Sequence, residues 1–218
     1  MFTHKPVSVP NLPATMTNKQ RWYLTPDGQY YPSITTVLGA KEKPYLVEWR
    51  NSLGHQKADK EMERAAKRGT AVHEVAERYL NNEENPTRDH DNSTVKLFNQ
   101  LKIYIDKIDN IYLQEKSLYS DVLQVAGRVD CIADFAGVPS IIDFKSSTNM
   151  KHTWMVEDYY LQETFYCLAF AERTQIEIPQ IVTLITVEKG LPLVFKKSIQ
   201  PYIVPLTLRI KEFYQKFV

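Results

Sequence analysis

The sequence predicts an α/β fold with a mixed central sheet flanked by helices. Three observations carry the prediction. After an N-terminal arm and hairpin, helical segments run to about residue 108 and then give way to three β-rich segments separated by turn residues. A helical stretch, "MVEDYYLQETFYCLAFAERT", divides these from two further strands. An amphipathic segment, "PLTLRIKEFYQKFV", closes the chain. The chain has 218 residues, 43% hydrophobic and 24% charged, which fits one soluble globular domain. An arm, a hairpin and short helices are expected over residues 1–60, and the core over 61–218.

Each element has its own local reason. Residues 1–19 are proline-rich and aperiodic, an arm or loop. "RWYLTPDGQYYPSIT" predicts strand, turn, strand, with Pro26-Asp27-Gly28 at the turn. "SITTVLGA" and "PYLVEWRNSLG" predict short helices, each closed near a glycine. "QKADKEMERAAKRG" predicts a charged helix ending by Gly69, and Thr70 then caps a second helix, "AVHEVAERYLNN". "EENPTRDHDN" is a polar loop. Ser93 or Thr94 opens a third helix, where Val95, Phe98, Leu101, Ile105 and Ile108 recur at helical spacing. "IYLQEKSLYS", "LQVAGRVDCIADF" and "PSIIDFKSS" predict strands, and "QIVTLITVEKG" with "LPLVFKKSI" a second hairpin.

The composition excludes several classes. With 27 basic and 26 acidic residues the net charge is +1, so a nucleic-acid surface would have to be a local patch. Cys131 and Cys167 stand far apart, which rules out a disulfide framework and a four-cysteine cluster. No apolar run approaches about 18 residues, as a membrane span would need. The N-terminal residues show no targeting pattern, and a cytoplasmic location is expected.

"IIDFKSS", residues 141–147, places Asp143 and Lys145 two apart on a strand, hence on one face. An isolated pair of this kind is ordinarily two solvated surface charges. The preceding strand changes that. With Ala136-Gly137 as a two-residue hairpin turn, Asp130 faces Asp143 and Arg128 faces Lys145. Val129, Cys131, Ala133, Phe135, Ile142 and Phe144 then form the apolar face. Opposed β-carbons lie about 4.5–5.5 Å apart, where like charges repel. Two carboxylates that close share a proton or hold a cation, and hard divalent ions such as Mg²⁺ prefer such oxygens. The Phe144 carbonyl is a further candidate ligand, and Lys145 would stand beside a nucleophilic water or a phosphate.

Other residues extend the constellation. His73 and Glu77 are four apart on one helix face, His73 as a metal ligand and Glu77 as its support. Arg68 would meet a phosphate near the start of that helix. Gln162 and Tyr166 share a helix face with Asp158 and are candidates for holding substrate. Glu115 is a further candidate acidic ligand. Ser33, Thr35, Ser146 and Ser147 could bind phosphates, and Trp22, Tyr30 and Tyr31 could stack on bases. Core packing, helix capping and surface ion pairing are the ordinary alternatives for these residues.

"RGTAVHEVAE", "QEKSLYS", "GRVD", "IIDFKSS" and "QETFY" resemble, in order, the motifs of RecB-type PD-(D/E)XK nucleases. "YYPSITTVLG" and "LVEWRNSLG" are similar to the subgroup of the mitochondrial genome maintenance exonuclease and related phage exonucleases. The resemblance spans roughly residues 30–170. It implies a restriction-endonuclease-like αβββαβ core and Mg²⁺-dependent DNA cleavage, with Mn²⁺ substituting. It implies metal contacts from His73, Asp130 and Asp143, catalysis by Lys145, and substrate contacts from Gln162 and Tyr166. The cysteine count excludes the iron–sulfur cluster that some of these nucleases carry. The implied substrate is DNA, single-stranded or with free ends, in phage or bacterial DNA degradation, replication or recombination. A strand- or structure-specific endonuclease and a non-cutting DNA-end-binding module are the alternatives.

Overall fold

The computed structural model describes residues 1–217. A five-stranded sheet of order β4-β5-β6-β7-β8 forms its centre. Its strands are β4 (Ile108–Ser120), β5 (Val125–Phe135), β6 (Val138–Ser147), β7 (Gln180–Val187) and β8 (Leu193–Ser198). The β6–β7 pair is parallel and the other pairs are antiparallel, so the sheet is mixed as expected. The parallel step requires a crossover, and α5 (Glu157–Thr174) supplies it after a 3-10 turn at Thr153–Met155.

Helices cover both faces. On one lie α3 (His55–Leu80) and α4 (Asn92–Ile105), whose Val72, Val75, Phe98 and Leu101 pack on Cys131, Ala133, Ile142 and Phe144. On the other, α5, α1 (Ile34–Gly39) and α6 (Gln200–Phe217) pack on Leu113, Ile132, Ile141 and Ile185. Val129, expected with Cys131, belongs to this second cluster. A second sheet of order β1-β2-β3 joins Ala14–Thr17, Gln20–Leu24 and Tyr30–Pro32. It is tied to the core by a bridge between Ser33 and Ala126. The remaining helix is α2 (Pro44–Leu53), closed by Gly54 at φ 83°.

The hairpin between β5 and β6 turns at Ala136 and Gly137, both with positive φ (52° and 83°). That is the pair of left-handed residues a type I′ turn needs. The register follows from it. Ile132 pairs with Ile141 and Cys131 with Ile142, which carries Asp130 to the level of Asp143.

Three expectations are corrected here. Residues 55–80 form one helix, not two with a break at Gly69. A mid-helix glycine costs about 1 kcal/mol relative to alanine, which the tertiary packing outweighs. Thr70 therefore caps nothing, and no helix start lies beside Arg68. The start of α4 is capped by Asp91, whose carboxylate accepts the Thr94 N–H at 2.7 Å, rather than by Ser93 or Thr94. The N-terminal arm is not loose. It contributes β1, and Lys5 and Val7 donate backbone hydrogen bonds to Ile111 and Tyr112 along the edge of β4.

Gly127, on β5, lies where α1 and α5 converge. A β-carbon there would stand 2.9 Å from the Tyr166 ring and 3.0 Å from Ile34 Cγ2. Gly127→Ala is expected to destabilise the fold by about 1–3 kcal/mol through overpacking. Gly39→Ala, at the end of α1 where a β-carbon meets nothing within 4 Å, should be neutral or stabilising by up to about 1 kcal/mol. Urea titrations of the two variants check the contrast.

Candidate active site

The end of β6 carries the chemistry. Asp143 is 1% exposed, at the level of Thr183 on β7. Its Oδ1 accepts a hydrogen bond from Gln162 Nε2 at 3.3 Å. Its Oδ2 forms a hydrogen-bonded ion pair with Lys145 Nζ. Burial of the Asp143 carboxyl and the charge of Asp130 work against the Lys145 ammonium, and the Asp143 pKa is pushed up to about 6. Burial alone would lower the pKa of Lys145, but the carboxylates of Asp143 and Asp130 prevail and raise it. Lys145 is therefore an ammonium at neutral pH. The Tyr159 ring, 5.2 Å from Nζ, adds a cation–π contact.

Asp130 reaches the same strand end from β5. Its Oδ2 accepts the Phe144 N–H at 2.9 Å. The two aspartates thus flank one peptide unit, as the turn geometry implied. His73, on α3, points Nε2 at the Phe144 carbonyl, 2.5 Å away, and Nδ1 at Asp130 Oδ2, 3.5 Å away. With the proton on Nε2, donated to that carbonyl, Nδ1 keeps its lone pair on the side of Asp130. The Phe144 carbonyl, expected as a metal ligand, is here the acceptor that orients His73.

Glu115 completes the cluster. It occupies the left-handed region at φ 51°, which is uncommon for a residue with a side chain. The β4–β5 ladder pairs Gln114 with Cys131 and Lys116 with Val129, leaving Glu115 level with Asp130. His73, Glu115 and Asp130 can each offer a ligand atom within 4.8 Å of the others. Burial and the nearby Asp130 charge push the Glu115 carboxyl up to about 7, against the pull of Arg128 and His73. Arg128 pairs with Glu115 at 2.6 Å. Glu77 lines the same cleft.

The other expected site residues divide by what they touch. Gln162 is buried and orients Asp143. Tyr166 is 2% exposed and donates its hydroxyl to Arg128 O at 2.7 Å, so in this structure it braces β5. Arg68 is held by Glu188 at 2.9 Å, Ser146 at 3.2 Å and Thr148 at 3.0 Å, and its side chain is 8% exposed. It fastens α3 to the end of β6 and is not a free phosphate ligand. Ser147 is buried and donates to Asn149 O. Ser33 is the N-cap of α1, accepting the Thr36 N–H, and its Oγ also contacts the Thr35 hydroxyl. Neither serine is open to a phosphate. Asp158 turns away from the site and pairs with Lys43 and Arg209. Tyr31 is buried, with its hydroxyl on Asp121, while Tyr30 remains exposed.

No family model and no curated protein matches the chain. Several solved chains are similar in chain path. One of them is described as a "putative exonuclease" from Eubacterium rectale, with a TM-score of 0.49 and 12% sequence identity. The match covers 69% of this chain and 66% of that one. The likeness assigns no activity to this chain.

Glu163 is the residue the sequence did not single out. It lies one position beyond Gln162, off the Asp158–Gln162–Tyr166 face, among apolar neighbours that read as core. It is fully buried, and Thr183 Oγ1 donates to its Oε1 at 2.5 Å. Its Oε2 has no hydrogen-bond partner among the described residues. Burial, then the Asp143 charge, raise its pKa well above the usual carboxyl value. The folded protein therefore keeps a proton that the unfolded chain releases above about pH 4.5. Stability falls as pH rises from there, by up to about 1.4 kcal/mol per pH unit, until the folded-state pKa is reached. Glu163→Gln has no proton to lose. Its stability relative to the unmodified chain should be unchanged near pH 4 and greater at pH 7–8, as denaturant titrations across that range would show.

Proposed function

We propose that the chain is a divalent-metal-dependent nuclease that hydrolyses phosphodiester bonds from DNA ends. One observation carries the reading. The strand end gathers the carboxylates of Asp143, Asp130 and Glu115 with the His73 imidazole, and the Lys145 ammonium pairs with Asp143 alone among them. A buried ionised group is stable only when paired or metal-bound. An oxygen-rich set with one imidazole suits Mg²⁺ or Mn²⁺. The order of the motifs supports the PD-(D/E)XK assignment and, within it, the exonuclease subgroup.

Asp143, Asp130 and His73 would hold the metal, with Glu115 as a further ligand. When bound, the cation would polarise the phosphate and lower the pKa of water from about 15.7 towards 7. The protein's own groups do the rest. Gln162 holds the Asp143 carboxylate in one orientation. The Phe144 carbonyl fixes the His73 tautomer. Lys145 offers its ammonium to the charge that grows on the phosphate oxygens during attack. Because Asp143 is its counter-ion, any ligand drawing on that carboxylate weakens the pair and eases proton loss from Lys145. That would let the lysine also accept the proton of the attacking water.

Incubation with end-labelled DNA and Mg²⁺ or Mn²⁺ should give cleavage, lost in Asp143→Ala and lowered roughly 10²–10³-fold in Lys145→Ala. A covalently closed single-stranded circle should survive. Its cleavage would instead indicate an endonuclease, and no cleavage of any substrate a binding module.

Metal affinity should rise with pH. Protons compete for Glu115 and Asp143, whose pKa values stand at about 7 and about 6. Below these values each pH unit costs up to about tenfold in affinity per competing proton. Glu115→Gln should bind more weakly at pH 8 and lose the step near pH 7. Mn²⁺ titrations by calorimetry at several pH values check both.

A further inference from the structure

The cleft above His73 and Asp130 has a volume of about 510 Å³. Three of its four carboxylates are already engaged, and Glu77 makes no ion pair among the described residues. Glu74 pairs with Arg78, Glu115 with Arg128, and Asp130 accepts the Phe144 N–H. One lining cation, Arg21, has no such partner. It is exposed, and among the described residues its guanidinium makes no ion pair and no hydrogen bond. It is not the counter-ion of Glu74, Glu115 or Asp130.

Its placement is firm all the same. The Arg21 N–H donates to Thr36 Oγ1 at 3.1 Å, and its carbonyl accepts the Ser33 N–H at 2.8 Å. Ser33 in turn bridges to Ala126 on β5, the strand that carries Asp130. On the far side Arg21 pairs with Met16 in a strand exposed along its length. The small sheet is thus bolted to the core at the position that brings a guanidinium over the ligand cluster. Burial of Tyr23 and Tyr31 explains why this sheet holds, but it does not explain an unpaired arginine on its central strand.

We propose that Arg21 binds a phosphate of the substrate strand flanking the scissile one. It thereby selects strands long enough to place a second phosphodiester in the cleft. This rests on the nuclease reading. A planar guanidinium can take two phosphate oxygens at once. Lys145 does not line this cleft, so the two cations would serve different phosphates.

Steady-state cleavage of a single-stranded oligonucleotide by Arg21→Ala should show KM raised about tenfold with kcat within twofold. Arg21→Lys should recover part of the loss. The log–log salt slope of oligonucleotide binding, measured by anisotropy in EDTA, should fall by about 0.7, as for one lost single-strand phosphate contact. Thymidine p-nitrophenyl phosphate has no flanking phosphate and should be hydrolysed equally by both proteins. An oligonucleotide with a neutral methylphosphonate at one flanking linkage should bind the unmodified protein as weakly as the normal oligonucleotide binds Arg21→Ala. Unchanged KM and salt slope, or an equal loss on the minimal ester, would overturn the proposal. If the unmodified protein cleaves nothing, the nuclease reading fails, and the salt slope of binding still decides whether Arg21 holds a phosphate.

Discussion

The structure is organised around a charge pair at the end of a buried strand. Asp143 and Lys145 project from β6, which lies between β5 and the parallel β7 under helices on both faces. A carboxylate there would be costly without compensation, because it has left water behind. Lys145, Gln162 and the neighbouring aspartate determine how that cost is met. The ammonium offsets one charge, while Asp130, bonded to the Phe144 N–H between them, adds a second of the same sign. The surplus negative charge shows in the raised pKa values of Asp143, Glu115 and Glu163. All three shifts have burial as their leading cause. A cation held by His73, Glu115 and Asp130 would relieve the Glu115 shift directly.

The surrounding elements keep that strand end in shape. From α5, Gln162 reaches Asp143 on β6, Tyr166 reaches Arg128 O on β5, and Glu163 meets Thr183 on β7. One helix thus contacts three adjacent strands at the level of the charges. From α3, Arg68 ties to Ser146 and Glu188, and His73 to the Phe144 carbonyl. Such contacts restrict the ligand groups to one arrangement before anything binds, which is the condition for an electrostatic site to work without reorganisation. The left-handed Glu115 is the visible strain in this frame, of order 1–3 kcal/mol.

Much of the strand architecture was legible. The alternation in "GRVDCIADF" and "PSIIDFKSS", with Ala136-Gly137 between them, was enough to predict the observed register, because a two-residue turn leaves little freedom to the pairs that follow it. Helix identities were legible for the same kind of reason: periodic burial leaves periodic apolar residues. The misreadings cluster where local signals met tertiary packing. Gly69 and Thr70 read as a helix boundary, yet the chain runs through them because both halves of α3 pack on the molecule. Arg68, Ser33 and Tyr166 are polar types that could serve a ligand or the fold, and spacing cannot distinguish those uses.

By itself, then, the sequence determined the order of elements, the hairpin register and the shared face of Asp143 and Lys145. These depend on period, turn chemistry and neighbours close along the chain. The tertiary structure decided which polar groups remain available. It committed Tyr166, Arg68 and Ser33 to internal bonds, set Glu115 beside His73 and Asp130, buried Glu163 beneath the site, and left Arg21 above it without an ion pair among the described residues. Those outcomes depend on which distant segments meet and on whether water reaches the groups between them, and neither is written in the spacing of residues.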